Sequence, residues 1–278
     1  MITLYHFDAS VCSEKVRMVL FEKNLDWENR EVDLFKGEQF DPAYMKLNPK
    51  AVVPTLIHDG RVLNDSTLIC EYIDEVWPAP ALSPADPYER LQMRAYAKAC
   101  DEGLHQGIAC ISYASMFRER LRKQNKTHEE MLKHYARIVD LERRDRQMAV
   151  YEQAQDAPHV YRAVAAYEKT FAKIEKVLGD GRMWLCGGMF SLAEINLVTY
   201  FARLEWMNLL DVWIHDRPLT TAWYARIKAR PCFVSEIAGR MRTDEWDEMR
   251  RVGSGPWRGY VADKLAHYRA NDFGAAFY

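Results

Sequence analysis

The chain has no marked excess of charge, no clustered cysteines and no long apolar run, and each absence removes a class of function. Of its 278 residues, 38 are Lys or Arg and 40 are Asp or Glu, a formal net charge of −2. That balance provides no global field for holding nucleic acid or an anionic membrane. The six cysteines, Cys12, Cys70, Cys100, Cys110, Cys186 and Cys232, are scattered, and no two form a C-x-x-C pair. They make neither a disulfide framework nor a zinc pattern. No stretch approaches the ~18 apolar residues of a membrane span, and the first residues lack the basic and apolar regions of a leader. The expectation is a reducing, cytoplasmic location with no membrane span. Among the eight histidines there is no H-x-x-x-H or H-E-x-x-H spacing; His128 and His134, six apart, fall on different helix faces. G-x-G-x-x-G and P-loop motifs are also missing, so neither a metal nor a nucleotide is expected.

What is present changes character along the chain. Residues 2–6 read as a strand, 13–24 as a helix with Val16, Val19, Leu20 and Leu25 on one face, and 27–34 as a second, alternating strand. After a loop with Pro and Asn, residues 54–58 and 61–63 flank Asp59-Gly60, a hairpin signal because the turn needs positive φ. Residues 66–76 close this part as a helix. Four prolines follow in the ten residues 78–87 and mark a linker. Beyond it only helical periods remain, near 88–123, 127–150, 157–179, 191–210, 216–230 and 232–250. The expected organisation is an α/β domain over 1–78, a linker at 79–87 and an all-helical domain over 88–278. Within the last, a densely charged insert near 118–150 reads as a solvated helical hairpin laced with i,i+4 pairs.

Three short stretches bear on chemistry. Asp8-Ala9-Ser10-Val11-Cys12-Ser13 sits at a strand-to-helix junction, where unpaired N–H groups and the helix dipole favour an anion such as a thiolate. Ser10 or Ser13 could donate to a bound sulfur; the plainer alternative is that Ser13 caps the helix and Cys12 fills space. In the run Asn48-Pro49-Lys50-Ala51-Val52-Val53-Pro54-Thr55, a cis Val53–Pro54 bond would turn the Val53 backbone toward an antiparallel peptide. Asn64-Asp65-Ser66-Thr67 opens another helix: there a ligand carboxylate meets N–H groups and a hydroxyl, and Asp65 can accept from an ammonium, unless Asp65 or Ser66 is simply the N-cap.

Taken together, the serine-bearing turn, "NPKAVVPTL", "LNDSTLICEYID", the proline linker and "LCGGMFSLAEINL" resemble the glutathione transferase superfamily. The resemblance implies a thioredoxin-like βαβαββα domain followed by an all-α domain, glutathione as co-substrate without metal or nucleotide, and a homodimer. Ser10 matches the serine that hydrogen-bonds the glutathione thiolate in serine-type members. Val53, with Pro54, matches the backbone partner of the cysteinyl unit, and Asp65 and Ser66 match the γ-glutamyl clamp. In "FSLAEI", Ser191 and Glu194 are similar to the family's capping box, with Glu in place of the usual Asp.

"SVCSEKVR" is similar to the "SSCSWRVR" of zeta-class isomerases, with Val11 where that motif has a serine. "STLICEYIDEVWP" and "LSPADPYERLQMR" resemble segments of the bacterial glutathione-dependent β-etherases of lignin catabolism, a subgroup with Asn-Ser where this chain has Cys12-Ser13. This makes Ser13, and after it Cys12, rivals of Ser10 as the sulfur's partner. The implied reaction is thiolate attack on a β-aryl ether that displaces a phenol and leaves a glutathione thioether. The alternatives are a glutathione-dependent isomerase or dehalogenase, and a non-catalytic interaction module for which the charged insert would be the docking surface. The partner is expected to be a small aromatic electrophile between the domains, with Tyr113, Met116 and Phe117 as candidate walls. The aromatic tail, Trp257, Tyr260, Tyr268, Phe273 and Phe277, is a candidate lid.

Overall fold

The first helix begins two residues earlier than its apolar period suggests, because its cap is Ser10 and not Ser13. The structure is a computed structural model and describes residues 1–271. The elements of the N-terminal part are β1 (Ile2–His6), α1 (Val11–Glu22), β2 (Glu28–Glu31), α2 (Pro42–Leu47), β3 (Thr55–His58), β4 (Arg61–Asn64) and α3 (Ser66–Val76). The sheet order is β2-β1-β3-β4, with β1 parallel to β2 and the other two pairings antiparallel. This is the thioredoxin-like βαβαββα arrangement. Asp59 (φ 48°) and Gly60 (φ 79°) make the tight turn between β3 and β4, where two consecutive positive φ values match the strand twist.

Two expectations need correction here. The second strand is four residues long and wholly exposed, not an eight-residue alternating strand; it is a sheet edge with no apolar partner to bury. The stretch read as a loop carries α2, which Asp41 caps by accepting from the Ala43 N–H and which Pro42 opens at a position where its missing N–H costs nothing.

Most of the chain after the linker is helical: α4 (Pro87–Ala99), α5 (His105–Ser112), α6 (Arg118–Gln124), α7 (His128–Ala136), α8 (Leu141–Gln153), α9 (Pro158–Leu178), α10 (Leu192–Trp206), α11 (Asp211–Ile214), α12 (Pro218–Lys228), α13 (Pro231–Glu236), α14 (Thr243–Ser254) and α15 (Trp257–Ala270). Single π-helical turns at Cys100–Leu104 and Tyr113–Phe117 join α4 to α5 and α5 to α6. The charged insert is therefore three helices, not a hairpin. The stretch 232–250 is likewise broken between α13 and α14.

By its contacts the chain forms two compact units, neither of them continuous in sequence. One comprises Met1–Ala97, Met183–Thr199 and Ala225–Met241; the other comprises Lys98–Arg182, Tyr200–Tyr224 and the residues from Arg242 on. In the first, α1 and α3 pack together. At their far end the Lys23 ammonium donates to the Asp74 carboxylate and the Pro80 carbonyl, both at 2.5 Å, while Asp74 accepts from Leu82 N–H. The start of α10 is held by the capping box: Glu194 accepts from Ser191 N–H (3.0 Å), the Ser191 hydroxyl (2.7 Å) and Leu185 N–H (2.7 Å), and Ser191 Oγ accepts from Ala193 N–H.

In the second unit α5 packs closely on α9 at Gly107, where a Cβ would lie 3.3 Å from Ala163 Cβ and the Tyr167 ring. Tyr113 and Met116 are nearly buried; the Tyr113 hydroxyl lies 2.8 Å from that of Tyr135, and burial pushes its phenol up to about 12. Of the aromatic tail, Trp257, Tyr260 and Tyr268 belong to α15. Trp257 packs against the cluster around Tyr113, and Tyr268 is buried beside Tyr161. Phe273 and Phe277 lie outside the described residues.

Candidate active site

The register of the sheet brings the three sequence stretches to one end. Tyr5 pairs with Thr55 and Thr55 pairs with Asn64. The residues just beyond these pairs, at the end of β1, before β3 and after β4, therefore emerge side by side. They are the turn 7–10, Val53-Pro54, and Asp65-Ser66. Packing agrees: Phe7, Ala9, Val32, Tyr44 and Val53 form one buried cluster.

At the first station β1 gives way to a short turn closed by Ser10 N–H donating to the Phe7 carbonyl at 3.0 Å. Ser10 stands outside the helix (φ −87°, ψ 116°), and its hydroxyl accepts from Ser13 N–H at 3.3 Å while its carbonyl accepts from Glu14 N–H. Ser10 thus satisfies the Ser13 and Glu14 N–H groups, and the helix N-terminus beside it has the partial positive charge that favours an anion. Ser10 and Cys12 are partly accessible, whereas Ser13 is fully buried and its hydroxyl accepts from Phe7 N–H at 3.4 Å. The geometry thus separates the three candidates: Ser13 is buried, while Ser10 and Cys12 are partly accessible at the N-terminus of α1.

The second station has a cis Val53–Pro54 bond, and its surroundings form a network that the sequence pattern does not announce. The Val52 carbonyl accepts from the Tyr44 hydroxyl (2.7 Å) and from Asn48 Nδ2 (2.9 Å), which also donates to Thr55 Oγ1 (3.2 Å). Thr55 Oγ1 in turn donates to Asn64 Oδ1 (2.8 Å), and Asn64 Nδ2 donates to the Leu47 carbonyl (2.9 Å). These five hydrogen bonds, from two amides and two hydroxyls, pin the chain on both sides of Val53. Burial drives the Tyr44 phenol up to about 12, which keeps it a neutral donor.

At the third station Asp65 caps α3, its Oδ1 accepting from Thr67 N–H (3.1 Å) and Leu68 N–H (3.4 Å). It does so at φ 78° and ψ 114°, a sparsely populated region for a residue with a side chain. Such backbone persists only where its surroundings over-determine it, and it concentrates at ligand clamps. Ser66 follows as the first helical residue and is nearly buried.

Sequence reasoning missed a buried ionic cluster directly behind the first station. Arg17, on α1, is wholly inside; its Nη2 donates to the Asp8 carbonyl (3.0 Å) and the Glu236 carbonyl (2.9 Å), and its Nη1 to the Phe7 carbonyl (3.4 Å) and to His6 Nδ1 (3.2 Å). Arg240 bridges the Glu236 carboxylate (2.8 Å) and Asp8 (3.5 Å) and lies over the Trp27 ring. Burial, and then the Arg17 charge, lower His6 to about 4. The ring is therefore neutral, with Nδ1 accepting from Arg17 and Nε2 donating to Asn29 Oδ1 at 2.6 Å. Nothing local in the sequence marks this cluster, because Glu236 lies 219 residues beyond Arg17.

The arrangement can hold an anion at α1, an extended peptide beside Val53 and a charged amino-acid head group at α3. Among the described residues no group of three or more His, Cys, Asp or Glu side chains is placed to hold a metal ion, and no helix is long and apolar enough to cross a membrane.

Family models named Glutathione S-transferase, N-terminal domain, and Glutathione S-transferase, C-terminal domain, match residues 9–76 and 133–226. Protein LigF of Sphingobium sp. strain SYK-6 is 31% identical over 87% of this chain and 95% of its own length. The tetrachloro-p-hydroquinone reductive dehalogenase of Sphingobium chlorophenolicum is 30% identical over 84% of this chain and 94% of its own. Among solved structures, that of the beta-etherase LigF superposes with a TM-score of 0.76, at 27% identity, over 86% of this chain and 99% of that one.

Proposed function

Because the chain belongs to the glutathione S-transferase family, we propose that it binds glutathione across these three stations and turns its thiolate on the β-carbon of an aryl ether. The thiol rests at the N-terminus of α1 beside Ser10, the cysteinyl backbone pairs with Val53, and the γ-glutamyl head group meets Asp65 and Ser66. The observation that carries this reading is the convergence of the turn 7–10, Val53 and Asp65 at one end of the sheet. The etherase chemistry draws its support from LigF, similar over nearly the whole of both chains.

In the reaction the sulfur forms a bond to the β-carbon as the carbon–oxygen bond breaks, and the electron pair leaves on the phenoxide, which then takes a proton. The protein's part is to hold the sulfur ionised and aligned. Each unit by which the thiol pKa falls corresponds to about 1.4 kcal/mol of preference for the thiolate. The test is phenol release from a chiral β-aryl ether ketone with and without glutathione, with the thioether followed by mass. Release that requires glutathione and yields the thioether bears the reading out; conjugation of a generic aryl halide without any phenol release removes the etherase step.

A second reading, attack of the same thiolate on a chlorinated ring, is favoured by the dehalogenase relative and by the partly accessible Cys12 beside Ser10. Chloride release with one glutathione consumed marks displacement, and with two consumed to give glutathione disulfide marks reduction.

We also propose a homodimer. Leu68 on α3 and Leu91 on α4 are exposed at 64% and 60%, each one turn from the Glu71–Arg94 ion pair that links the two helices, and Tyr88 adds a third exposed apolar side chain. Leu68→Glu with Leu91→Glu should halve the mass seen by light scattering; an unchanged mass assigns the contact elsewhere.

A further inference from the structure

The thiolate site has a second layer, whose centre is Arg17. Three atoms of its guanidinium make five hydrogen bonds, and their acceptors are the carbonyls of Phe7, Asp8 and Glu236 and the ring of His6. The Phe7 carbonyl that Arg17 grips is the one that accepts from Ser10 N–H, and Phe7 N–H is the donor to Ser13 Oγ. A shift of the Phe7 backbone would therefore move both the N-cap and the first helical turn.

Charge acts in the same place. Asp8, Glu14 and Glu236 all interact with Arg17, and Arg240 shares Asp8 and Glu236 with it. His6 is neutral, and Lys15 is buried on the same helix. Of the other charges on α1 and on α3 packed against it, Lys23 pairs with Asp74, Glu22 with Arg230 and Glu71 with Arg94, while Glu75 is exposed. Without Arg17, three carboxylates would face the turn against Arg240 and Lys15 alone, and a neighbouring thiolate would be disfavoured.

We propose that Arg17 is a positioning residue for the glutathione sulfur, its buried guanidinium holding the Phe7 and Asp8 carbonyls so that the turn presents Ser10 and the N-terminus of α1 with a fixed positive charge behind it. The inference rests on the glutathione reading and refines it. Arg17 does not touch the ligand; it acts through the Phe7–Ser10 turn.

The test is the pKa of enzyme-bound glutathione, read from the ultraviolet absorbance of the thiolate across a pH titration. In Arg17→Met the thiolate fraction below that pKa should fall about tenfold, one unit upward, and Arg17→Lys should recover part of the loss. Asp8→Asn, which keeps the carbonyl but removes the acid that offsets Arg17, should move the pKa the other way. Opposite shifts in the two variants are not produced by loss of folded protein alone. A bound-thiol pKa that stays at the wild-type value in Arg17→Met overturns the inference; should that variant not fold, the absence of a downward shift in Asp8→Asn does so. If the wild-type protein does not bind glutathione at all, the reading beneath the inference fails, an outcome distinct from binding with an unmoved pKa.

Discussion

Thr55 and Asn64 face each other across the β3–β4 ladder and are joined through their side chains, Thr55 Oγ1 donating to Asn64 Oδ1 at 2.8 Å. The pair sits between the two stations for the ligand backbone. Pro54 precedes one member and Asp65 follows the other, so a single cross-strand contact sets the spacing between the Val53 edge and the head of α3.

Thr55→Val is expected to remove this link while keeping shape. It leaves Asn64 Oδ1 and one Asn48 hydrogen short of partners in a buried setting, which costs about 1–3 kcal/mol. Chemical denaturation measures the loss, and glutathione affinity should weaken at the same time. A destabilised variant with unchanged affinity would detach the network from the binding site.

The two serines should separate. Ser10→Ala removes an N-cap, costing about 1 kcal/mol, and raises the pKa of the bound thiol, so that the pH–rate profile moves to higher pH. Ser13→Ala leaves the buried Phe7 N–H unsatisfied; it should lower the melting temperature while leaving the profile in place. Profiles for both variants decide the matter, and if only Ser13→Ala moves the profile the assignment is reversed.

Glu194 is a folding residue. Burial raises its pKa despite the donors around it, and Glu194→Ala strands the N–H groups of Leu185 and Ser191. A cost of about 2–4 kcal/mol is expected from two unsatisfied buried donors. Activity per folded molecule should be unchanged, as active-site titration beside calorimetric melting would establish; a selective loss of turnover contradicts the assignment.

His6 should make stability depend on pH. Its folded pKa, about 4, lies below the unfolded value of 6.5, so between those values the unfolded chain binds the extra proton. The contribution is fully present above pH about 6.5 and is lost as pH falls toward 4, on the order of 3 kcal/mol in all. Urea unfolding at a series of pH values should show this slope in the wild type and a flatter one in His6→Gln; equal slopes would exclude His6 as the source.

Much of the fold is legible in the sequence where local rules agree with the final packing. β1, α3 and the Asp59-Gly60 turn stand where apolar period and turn chemistry place them. α2 carries a helix-start signal, Asp41 followed by Pro42, but at six residues it is too short for an apolar period to show. The site was readable as three stretches, but not the contacts that hold them. Glu14, Lys15 and Arg17 are charged residues near the start of α1, yet all are buried; for Arg17 the partner, Glu236, arrives from α13, far along the chain. Ser13 has the residue type of a cap, but Ser10 performs the capping, and only the turn geometry from Phe7 to Ser10 distinguishes them.

The most direct test of the account is isothermal titration of the purified wild-type protein with glutathione, repeated with Asp65→Ala. The convergence of Ser10, Val53 and Asp65 predicts saturable binding at or below millimolar ligand and a clear weakening in the variant. The absence of heat at millimolar glutathione, or equal affinity in both proteins, would contradict it.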